Sequence, residues 1–482
     1  MSAVPIYPVL LALTFIVTEF LESGSPLQVA NRALLLAFVV TGGLQLGFTL
    51  VGGRHRAAFF AALAFLVLFD ALVAAVLIAA AAAPVLAGIA RDRRIGREDW
   101  PTLTRVANVV SIAVFLLASG PGVASGAFRY YSPPDEVPSS AAGIEAPDIY
   151  LVLLDGYPRA DTLLSQLGHD NGPFLESMRG LGFDVAEAAH SNYTLTPLTL
   201  ASMFNAKHID KLVPDPPSGW PGQARRFSEL INEGAMLSVA RQAGYEVVSL
   251  PMPTGYTTLY AADRFVDFGL MTEFELQLLD AEIIRRMLRD VQLEFVRDQH
   301  RQRILRTFDQ LSKLAEEDAA RPRLIFAHLL APHPPLVFAA DGSPVRIEGC
   351  LWTLCAFPSP LPTYVGEASA GQVTYLNSLV KDTVTAIVER SIRPAVIVVF
   401  SDHGSRYDAS DKAEHLRSLL LTRTPGHPGM FPPDSSPINV LPRILNAYVG
   451  TGISIASEES YWIGAAGGEN VFFPLEPFDP SR

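Results

Sequence analysis

Two apolar segments that each end in an acidic residue constrain the fold of this chain most. The first, 149–154, leads into Asp155, and the second, 396–400, leads through a serine into Asp402 and His403. Continuous apolar runs rich in Val and Ile predict buried strands of a parallel sheet covered on both faces. Ligands of such sheets bind beyond the carboxyl ends of the strands. We therefore expect Asp155, Asp402 and His403 to meet at one rim.

This trio has the chemistry of a divalent metal site. Two carboxylates and one imidazole suit Zn, Mn or Mg. In the alternative interpretation, each aspartate only caps the turn that follows its strand. Two such acids, one of them next to a histidine, favour the metal site.

The amino-terminal part of the chain is too apolar for a soluble domain. The protein has 482 residues, of which 49% are hydrophobic, and the excess lies in the first 120 positions. There are four apolar tracts. The first begins with 5–16 and ends near Glu19 and Glu22, and the others are 33–51, 57–90 and 103–118. Each is close to the roughly 17–25 residues that cross a bilayer, except the third, which is too long for one crossing. A multi-span helical membrane domain is predicted.

Basic residues set the predicted topology. Arg54 and Arg56 follow the second tract, and four arginines between 91 and 97 precede the last. Because basic loops stay in the cytoplasm, the tract 57–90 must leave and return as a hairpin, which gives five crossings and an exterior carboxyl-terminal part. Four crossings are the alternative, but they would put one basic loop on the wrong side. The first span lacks a basic leader and a cleavage site, so it is interpreted as an anchor.

Beyond the membrane tracts, the pattern predicts a linker and an α/β domain. Residues 121–147 are rich in Gly, Pro and Ser, as linkers are. Strand-like runs then alternate with helical ones, which predicts a mostly parallel central sheet. The predicted strands are 246–250, 324–330 and 395–400, and the predicted helices are 174–181, 236–243 and 372–389. The predicted division is 1–120 for the membrane domain, 121–147 for the linker and 148–482 for the catalytic domain.

Charge and cysteine content narrow the possible partners. The net charge is −12 without a block of like charge, and the basic residues are spread or lie beside membrane tracts. A nucleic-acid partner is therefore not expected. Cys350 and Cys355 are the two cysteines, and in an exterior loop they could form a disulfide. A zinc pair is less favoured because no further Cys or suitably spaced His lies nearby.

Thr196 is the candidate nucleophile. Pro197 follows it, and proline suits the first turn of a helix. The amino terminus of a helix favours an anion such as phosphate. A threonine hydroxyl needs activation by a base or a metal, which an ion at the rim would provide. The alternative is a helix cap without chemistry, and Thr194 and Thr199 are weaker candidates.

Across residues 148–450 the chain resembles the sulfatase branch of the alkaline phosphatase superfamily, most of all its membrane-anchored transferases. Lipoteichoic acid synthases and phosphoethanolamine transferases are examples. Asp155 matches the family's strand-end acid, residues 401–404 its late Asp-His pair, and residues 191–205 its nucleophile segment, with Asn205 nine positions after Thr196. The Cys/Ser-x-Pro-x-Arg motif of true sulfatases is absent, and no Lys-x-His follows Tyr245. The transferase branch is the better match.

The resemblance implies roles for individual residues. One divalent ion (Mn, Mg or Zn) would be bound by Asp155, Thr196, Asp402 and His403. Thr196 would be the catalytic nucleophile. His333, in a proline-flanked loop after a strand and therefore at the same rim, would be a second catalytic residue that contacts the substrate. Arg406 could bind a phosphate, although a surface ion pair is an equal alternative. His328, inside the strand, is interpreted as a core histidine.

The sequence thus predicts a membrane-anchored, metal-dependent transferase or hydrolase. The resemblance implies a bacterial inner-membrane protein with its catalytic domain outside the cytoplasm. It would move a phospho-head group from a membrane lipid to an envelope glycan or lipid. The alternatives are a sulfuric ester hydrolase and a non-catalytic surface scaffold.

Overall fold

The structure is a computed structural model of the whole chain. It describes residues 4–69, 100–134, 146–278, 282–347, 361–408, 410–463 and 471–481. The chain divides into two compact units. Unit 1 comprises Met1–Tyr130 and Met271–Leu293, and unit 2 comprises Tyr131–Leu270 and Glu294–Arg482.

Helices and strands are numbered here in chain order within the described residues. The helices are α1 Tyr7–Ser23, α2 Asn31–Gly52, α3 Arg54–Phe69, α4 Trp100–Ala124, α5 Ala160–Leu167, α6 Gly172–Gly180, α7 Thr196–Asn205, α8 Ile209–Leu212, α9 Trp220–Asn232, α10 Ala235–Gln242, α11 Glu273–Leu278, α12 Glu282–Glu316, α13 Thr363–Arg390 and α14 Val440–Val449. The strands are β1 Asp148–Leu154, β2 Asp184–Val185, β3 Glu246–Ser249, β4 Arg264–Phe265, β5 Arg323–Leu329, β6 Ala395–Phe400, β7 Leu420–Arg423, β8 Ser460–Ile463 and β9 Leu475–Phe478. Short 3-10 helices cover Leu27–Ala30, Gly255–Thr257 and Pro437–Asn439.

Unit 1 contains long apolar helices. Two helical segments, Leu27–Gly47 and Trp100–Ala124, are long and apolar enough to cross a membrane by length and composition. The start of α3 meets the start of α4, because the guanidinium of Arg56 lies 5.7 Å from the Trp100 ring centroid. The tract from 70 to 99 lies outside the described residues, so the count of five crossings stays a prediction.

Unit 1 also contains a segment that the sequence-based division did not place there. The ring of Phe274 in α11 packs edge-on against Phe20 of α1, with centroids 6.4 Å apart. The carboxylate of Glu275 accepts two hydrogen bonds from Arg32, at 2.8 and 2.7 Å. The predicted boundaries assigned residues 271–293 to the catalytic domain, whereas these contacts hold α11 against the helices of unit 1.

Unit 2 is built on a seven-stranded sheet with the order β2-β7-β6-β1-β5-β3-β4. Strand β1 is central and runs parallel to β5 on one side and to β6 on the other. Strand β7 runs antiparallel to both of its neighbours, β2 and β6, and the other neighbouring pairs of this sheet are parallel. All seven residues of β1 are buried, because alternate side chains pack into hydrophobic cores on opposite faces. The predicted α/β domain with a mostly parallel sheet is therefore confirmed.

The predicted elements differ from the observed ones mainly at their ends. Strand β6 has the predicted bounds, β5 is shifted by one residue, and helix α13 begins nine residues before the predicted start. The short strands β2, β4 and β7 were not predicted, because two to four residues carry too little periodicity. β8 and β9 form a separate two-stranded sheet.

Candidate active site

The acidic residues that follow β1 and β6 lie at one rim of the sheet. Because β1 pairs in parallel with both β5 and β6, the carboxyl ends of the three strands are adjacent. The backbone N–H of His333, beyond β5, donates to the carbonyl of Asp155 at 2.9 Å. The structure places Asp155, Asp402 and His403 together, with His333 beside them, and their roles stay predictions. These four residues are called the acid–histidine cluster.

Distances within the acid–histidine cluster are short. His403 Nε2 lies 3.3 Å from Asp155 Oδ1 and 3.6 Å from Asp402 Oδ2. One ligand atom from each of Asp155, His333 and His403 lies within 4.8 Å of the other two. Asp155, Asp402 and His403 are at most 3% exposed. Asp155, His333 and His403 thus offer ligand atoms that a single ion could bridge, and Asp402 adds a second carboxylate next to His403.

Two carboxylate oxygens of the cluster have no hydrogen-bond donor among the described residues. These buried atoms are Asp155 Oδ1 and Asp402 Oδ2. Their partner oxygens are satisfied, since Asp155 Oδ2 is 3.0 Å from His328 Nε2 and Asp402 Oδ1 accepts from the Gly156 N–H at 3.2 Å. A buried anionic oxygen without a donor is costly unless a cation compensates it. The residues present therefore fit a divalent ion.

Backbone carbonyls orient the two imidazoles of the cluster. His403 Nδ1 donates to the carbonyl of Gly404 at 2.6 Å, and His333 Nδ1 donates to the carbonyl of Pro334 at 2.7 Å. A carbonyl can only accept, so each bond fixes the proton on Nδ1 and leaves Nε2 for a ligand. The sequence assigned His333 to substrate contact. Its position makes metal ligation an equal possibility for this residue.

Gly156 lies between these two imidazoles. Its φ is +68°, and a Cβ atom there would stand 3.3 Å from His403 Cε1 and 3.4 Å from His333 Cδ2. Both the backbone conformation and the space therefore call for glycine.

Gly156→Ala is expected to lower the free energy of unfolding by about 1–2 kcal/mol, because the left-handed conformation strains an L side chain. The methyl group should also push the imidazoles apart and weaken metal binding roughly 10–100-fold. Isothermal titration with Zn²⁺ and thermal unfolding of the purified chain would measure both effects. Gly180→Ala is the matched control, because Gly180 has open space at its Cβ position and an ordinary φ. Unchanged metal affinity in Gly156→Ala would contradict this role.

Thr196 opens helix α7, as the sequence predicted. Leu195 is the N-cap residue in an extended conformation, and Pro197 lies in the first turn. Thr196 is half-buried and lines a cleft, with a cavity volume of about 120 Å³, together with Asp155, His333 and His403. Thr196 therefore lies near the cluster and at a helix amino terminus. Its roles as nucleophile and as metal ligand stay predictions.

Two other threonines near the site are engaged through hydrogen bonds. The hydroxyl of Thr199 donates to the carbonyl of Asp402 at 2.8 Å, which ties α7 to the loop after β6. The carbonyl of Thr194 accepts a hydrogen bond from Arg406 Nη2 at 2.8 Å. Arg406 is exposed and also lines the cleft, so a phosphate there could reach its remaining donors. Asn205, in contrast, is at the opposite end of α7, and its side chain contacts Leu230 and Ala235.

His328 is the site residue that sequence reasoning missed. It lies in β5 as predicted and is buried, but its Nε2 contacts Asp155 Oδ2 instead of a core partner. The reason is the register: Leu153 of β1 pairs with His328, so Asp155, two residues later, faces the same side of the sheet. The sequence alone does not show that His328 pairs with Leu153 in the sheet.

The electrostatic environment prepares the cluster for a cation. Burial raises the pKa of Asp155, but His333, His328 and His403 outweigh it and hold this pKa well below its usual range. Burial lowers the pKa of His403, yet the neighbouring carboxylates of Asp402 and Asp155 raise it above the usual value. The pKa of His333 is lowered, mainly by burial. Without metal, His403 thus carries a proton more readily than His333.

Metal affinity is accordingly expected to fall as the pH falls through the raised pKa of His403. A protonated imidazole cannot bind the ion, so the loss should be about tenfold per pH unit, as for one competing proton. Because the pKa of His333 is lowered and that of His403 is raised, His403 takes up a proton at higher pH, so one proton should compete with the ion first. Zn²⁺ titrations between pH 5 and 8 would give the slope. A metal affinity that falls about a hundredfold per pH unit, or does not change with pH, would contradict the assignment of His403 as the one competing group.

Cys350 and Cys355 lie outside the described residues. Their disulfide stays a prediction from the sequence.

Comparisons with known proteins give structural neighbours. No protein-family model and no curated protein matches the chain. The integral membrane lipooligosaccharide phosphoethanolamine transferase A of Neisseria meningitidis aligns with a TM-score of 0.41 at 15% identity, over 86% of this chain and 79% of that one. The zinc complex of the periplasmic domain of EcEptC from Escherichia coli aligns with a TM-score of 0.43 at 13% identity, over 72% and 96%.

A phosphonate monoester hydrolase of Agrobacterium radiobacter is also similar. It aligns with a TM-score of 0.40 at 15% identity, over 66% of this chain and 80% of that one. The Neisseria structure is named as a phosphoethanolamine transferase and the Agrobacterium structure as a hydrolase.

Proposed function

We propose that this chain is a membrane-anchored, metal-dependent enzyme that uses Thr196 to take a phospho-head group from a lipid donor. The acceptor would be an envelope glycan or lipid, or water. The proposal places the protein in the inner membrane of a bacterium, with unit 2 outside the cytoplasm. The bound ion would be Zn, Mn or Mg.

One observation carries this proposal: Asp155, with its donorless Oδ1, shares a cleft with His403, His333 and Thr196 at the start of α7. The second donorless oxygen, Asp402 Oδ2, lies 3.6 Å from His403 Nε2. A threonine that only capped the helix would not need these groups nearby. A divalent ion held by Asp155, Asp402, His403 and His333 would compensate both oxygens. When bound, it would supply positive charge that favours the threonine alkoxide and the transferring phosphoryl group.

The residues of the cleft suggest how the reaction would proceed. The Thr196 oxygen would form a bond to phosphorus while the bond from phosphorus to the lipid oxygen breaks. The threonine would give up its hydroxyl proton, and the departing lipid alcohol would take one up. The amino terminus of α7 and Arg406 would stabilise the charge on the phosphoryl oxygens. An acceptor hydroxyl would then displace Thr196 and regenerate it.

The long apolar helices of unit 1 support a lipid donor. Two of them have the length and composition of a membrane span, and a lipid substrate would reach an anchored enzyme without leaving the bilayer. The experiment should use the full chain in detergent. Removing residues 1–147 would strip α11 of its partners in unit 1, Phe20 and Arg32.

The test of the proposed function is intact-mass analysis of the full chain after incubation with phospholipid and Mn²⁺ or Zn²⁺. We expect a covalent phospho-head-group adduct that maps to Thr196 and is absent from Thr196→Ala. A chain that binds one metal ion but never forms the adduct and cleaves no diester would support the non-catalytic scaffold instead. Cleavage of sulfate esters alone would support the sulfuric ester hydrolase.

A further inference from the structure

The cleft that contains the acid–histidine cluster has a second, aromatic side. Trp220, Tyr256 and Phe472 line it together with Thr196 and Asp155. The rings of Trp220 and Tyr256 are nearly perpendicular, at 87°, with centroids 5.2 Å apart, and Trp220 lies 5.4 Å from Phe472. These three residues are called the aromatic wall. Trp220 and Tyr256 meet edge to face and are half-buried, whereas Phe472 is 2% exposed.

The aromatic wall is held in place by buried amide side chains of α9. Gln223 Oε1 accepts hydrogen bonds from the backbone N–H groups of Val471 and Phe472, both at 3.2 Å. Asn232 Oδ1 accepts from Tyr260 and Ala261, at 2.7 and 2.9 Å, and so fixes the loop that follows Tyr256.

The ring of Phe227 packs behind Phe472, with centroids 5.1 Å apart. Three segments far apart in sequence are thus fixed around one space. A lining that is fixed in this way is typical of a preformed binding pocket.

The chemistry of this cleft separates two classes of cationic head group. Asp155 is the only carboxylate among the described residues that line it, and that carboxylate belongs to the acid–histidine cluster. A primary ammonium carries three N–H donors and needs acceptors to replace its water. A trimethylammonium has no donors, and aromatic faces recognise it through cation–π attraction. The aromatic wall therefore suits the quaternary cation better.

We propose that the aromatic wall binds the trimethylammonium of a phosphocholine group whose phosphate lies at Thr196 and Arg406. This inference rests on the proposed function and names its substrate class, a choline phosphodiester. In the reaction, the Thr196 oxygen bonds to phosphorus, the ester bond to the leaving alcohol breaks, and that alcohol takes up a proton. Phosphocholine on Thr196 then passes to an acceptor hydroxyl or to water.

The test compares small ligands on the metal-loaded full chain in detergent. Isothermal titration would measure the affinities for phosphocholine, phosphoethanolamine and inorganic phosphate. We expect phosphocholine to bind about tenfold more tightly than phosphoethanolamine, a factor that a cation–π contact can provide. In Trp220→Leu the two affinities should become nearly equal while that for inorganic phosphate is retained. Trp220→Phe, which keeps an aromatic face, should restore part of the preference.

Trp462→Leu is the matched control. Trp462 lies in β8, outside the cleft, and carries Lys412 Nζ 4.9 Å above its ring, so it too is an aromatic residue near a cation. Its replacement should leave the ratio of the two affinities unchanged. Equal binding of phosphocholine and phosphoethanolamine by the unmodified protein would overturn the proposal. So would a ratio that Trp220→Leu does not change, or tighter binding of a free sugar or an acyl chain than of phosphocholine.

Cleavage of bis(4-nitrophenyl) phosphate separates this proposal from the proposed function. If that diester is cleaved with Thr196 but no choline preference exists, the head-group assignment fails and the proposed function stands. If the diester is not cleaved and neither phosphocholine nor phosphoethanolamine binds, the head-group assignment and the proposed function both fail. Vesicles of phosphatidylcholine and soluble glycerophosphocholine, offered separately, would show whether the head group comes from a lipid or a soluble ester.

Discussion

Asp155→Asn is expected to abolish stoichiometric binding of a divalent ion and, with it, the cleavage of phosphodiesters. Asp155 Oδ1 lies 3.3 Å from His403 Nε2 without a donor, while His328 engages Oδ2. Asparagine keeps the shape but removes the charge, so an ion between these groups would lose one of its two anionic ligands. The loss of metal affinity should be larger than the roughly 10–100-fold loss that follows when a residue that only supports the ligands is replaced. Metal content after dialysis and turnover with bis(4-nitrophenyl) phosphate would measure it.

Asp161→Asn is the matched control for this prediction. Asp161 is an exposed carboxylate on α5 that pairs with Arg159, and it does not line the cleft. Asp402→Asn should resemble Asp155→Asn, because Asp402 Oδ2 is also donorless and lies 3.6 Å from His403 Nε2. Circular dichroism would verify that each variant is folded. A folded Asp155→Asn protein with its full metal content would remove Asp155 from the ligand set.

Thr196→Ala is expected to reduce turnover by a factor on the order of 10⁴ or more, as the loss of a nucleophile does in other enzymes. The methyl side chain keeps the helix start but offers no oxygen to phosphorus. The phospho-head-group adduct should disappear at the same time. Single-turnover assays with the metal-loaded protein would separate this chemical defect from weaker binding.

Two variants frame the Thr196 result. Thr196→Ser retains a hydroxyl and should keep a measurable part of the turnover and of the adduct. Thr374→Ala removes an exposed hydroxyl on α13, far from the cleft in sequence and absent from its lining, and should change nothing. Turnover of Thr196→Ala equal to that of the unmodified protein would show that the nucleophile is another group or water.

Much of the site could be predicted because its determinants are local. An apolar run followed by an acid predicts a buried strand with a carboxylate at its end, and β1 and β6 have this form. Thr196 followed by Pro197 predicts a helix start for similar reasons, since proline has the backbone angle of a first turn. The parallel arrangement then brings Asp155, Asp402 and His403 to one rim, as observed.

The remaining features depend on register and packing, which no short segment encodes. His328 contacts Asp155 because Leu153 pairs with it, and a shift of one residue would turn the imidazole to the other face of the sheet. Residues 220, 256 and 472 of the aromatic wall come from three separate segments. The hydrogen bonds that the side chains of Gln223 and Asn232 accept from these segments form only in the folded unit.

By itself, the sequence determined the apolar helices, the strands that end in acids, and the helix that begins at Thr196. Each of these follows from the polarity and backbone preference of neighbouring residues. Tertiary structure alone decided that His328 supports Asp155 and that Glu273–Leu278 packs with the helices of unit 1. The physical reason is that these contacts join segments far apart in sequence, so their partners are set by the burial and pairing of the whole unit.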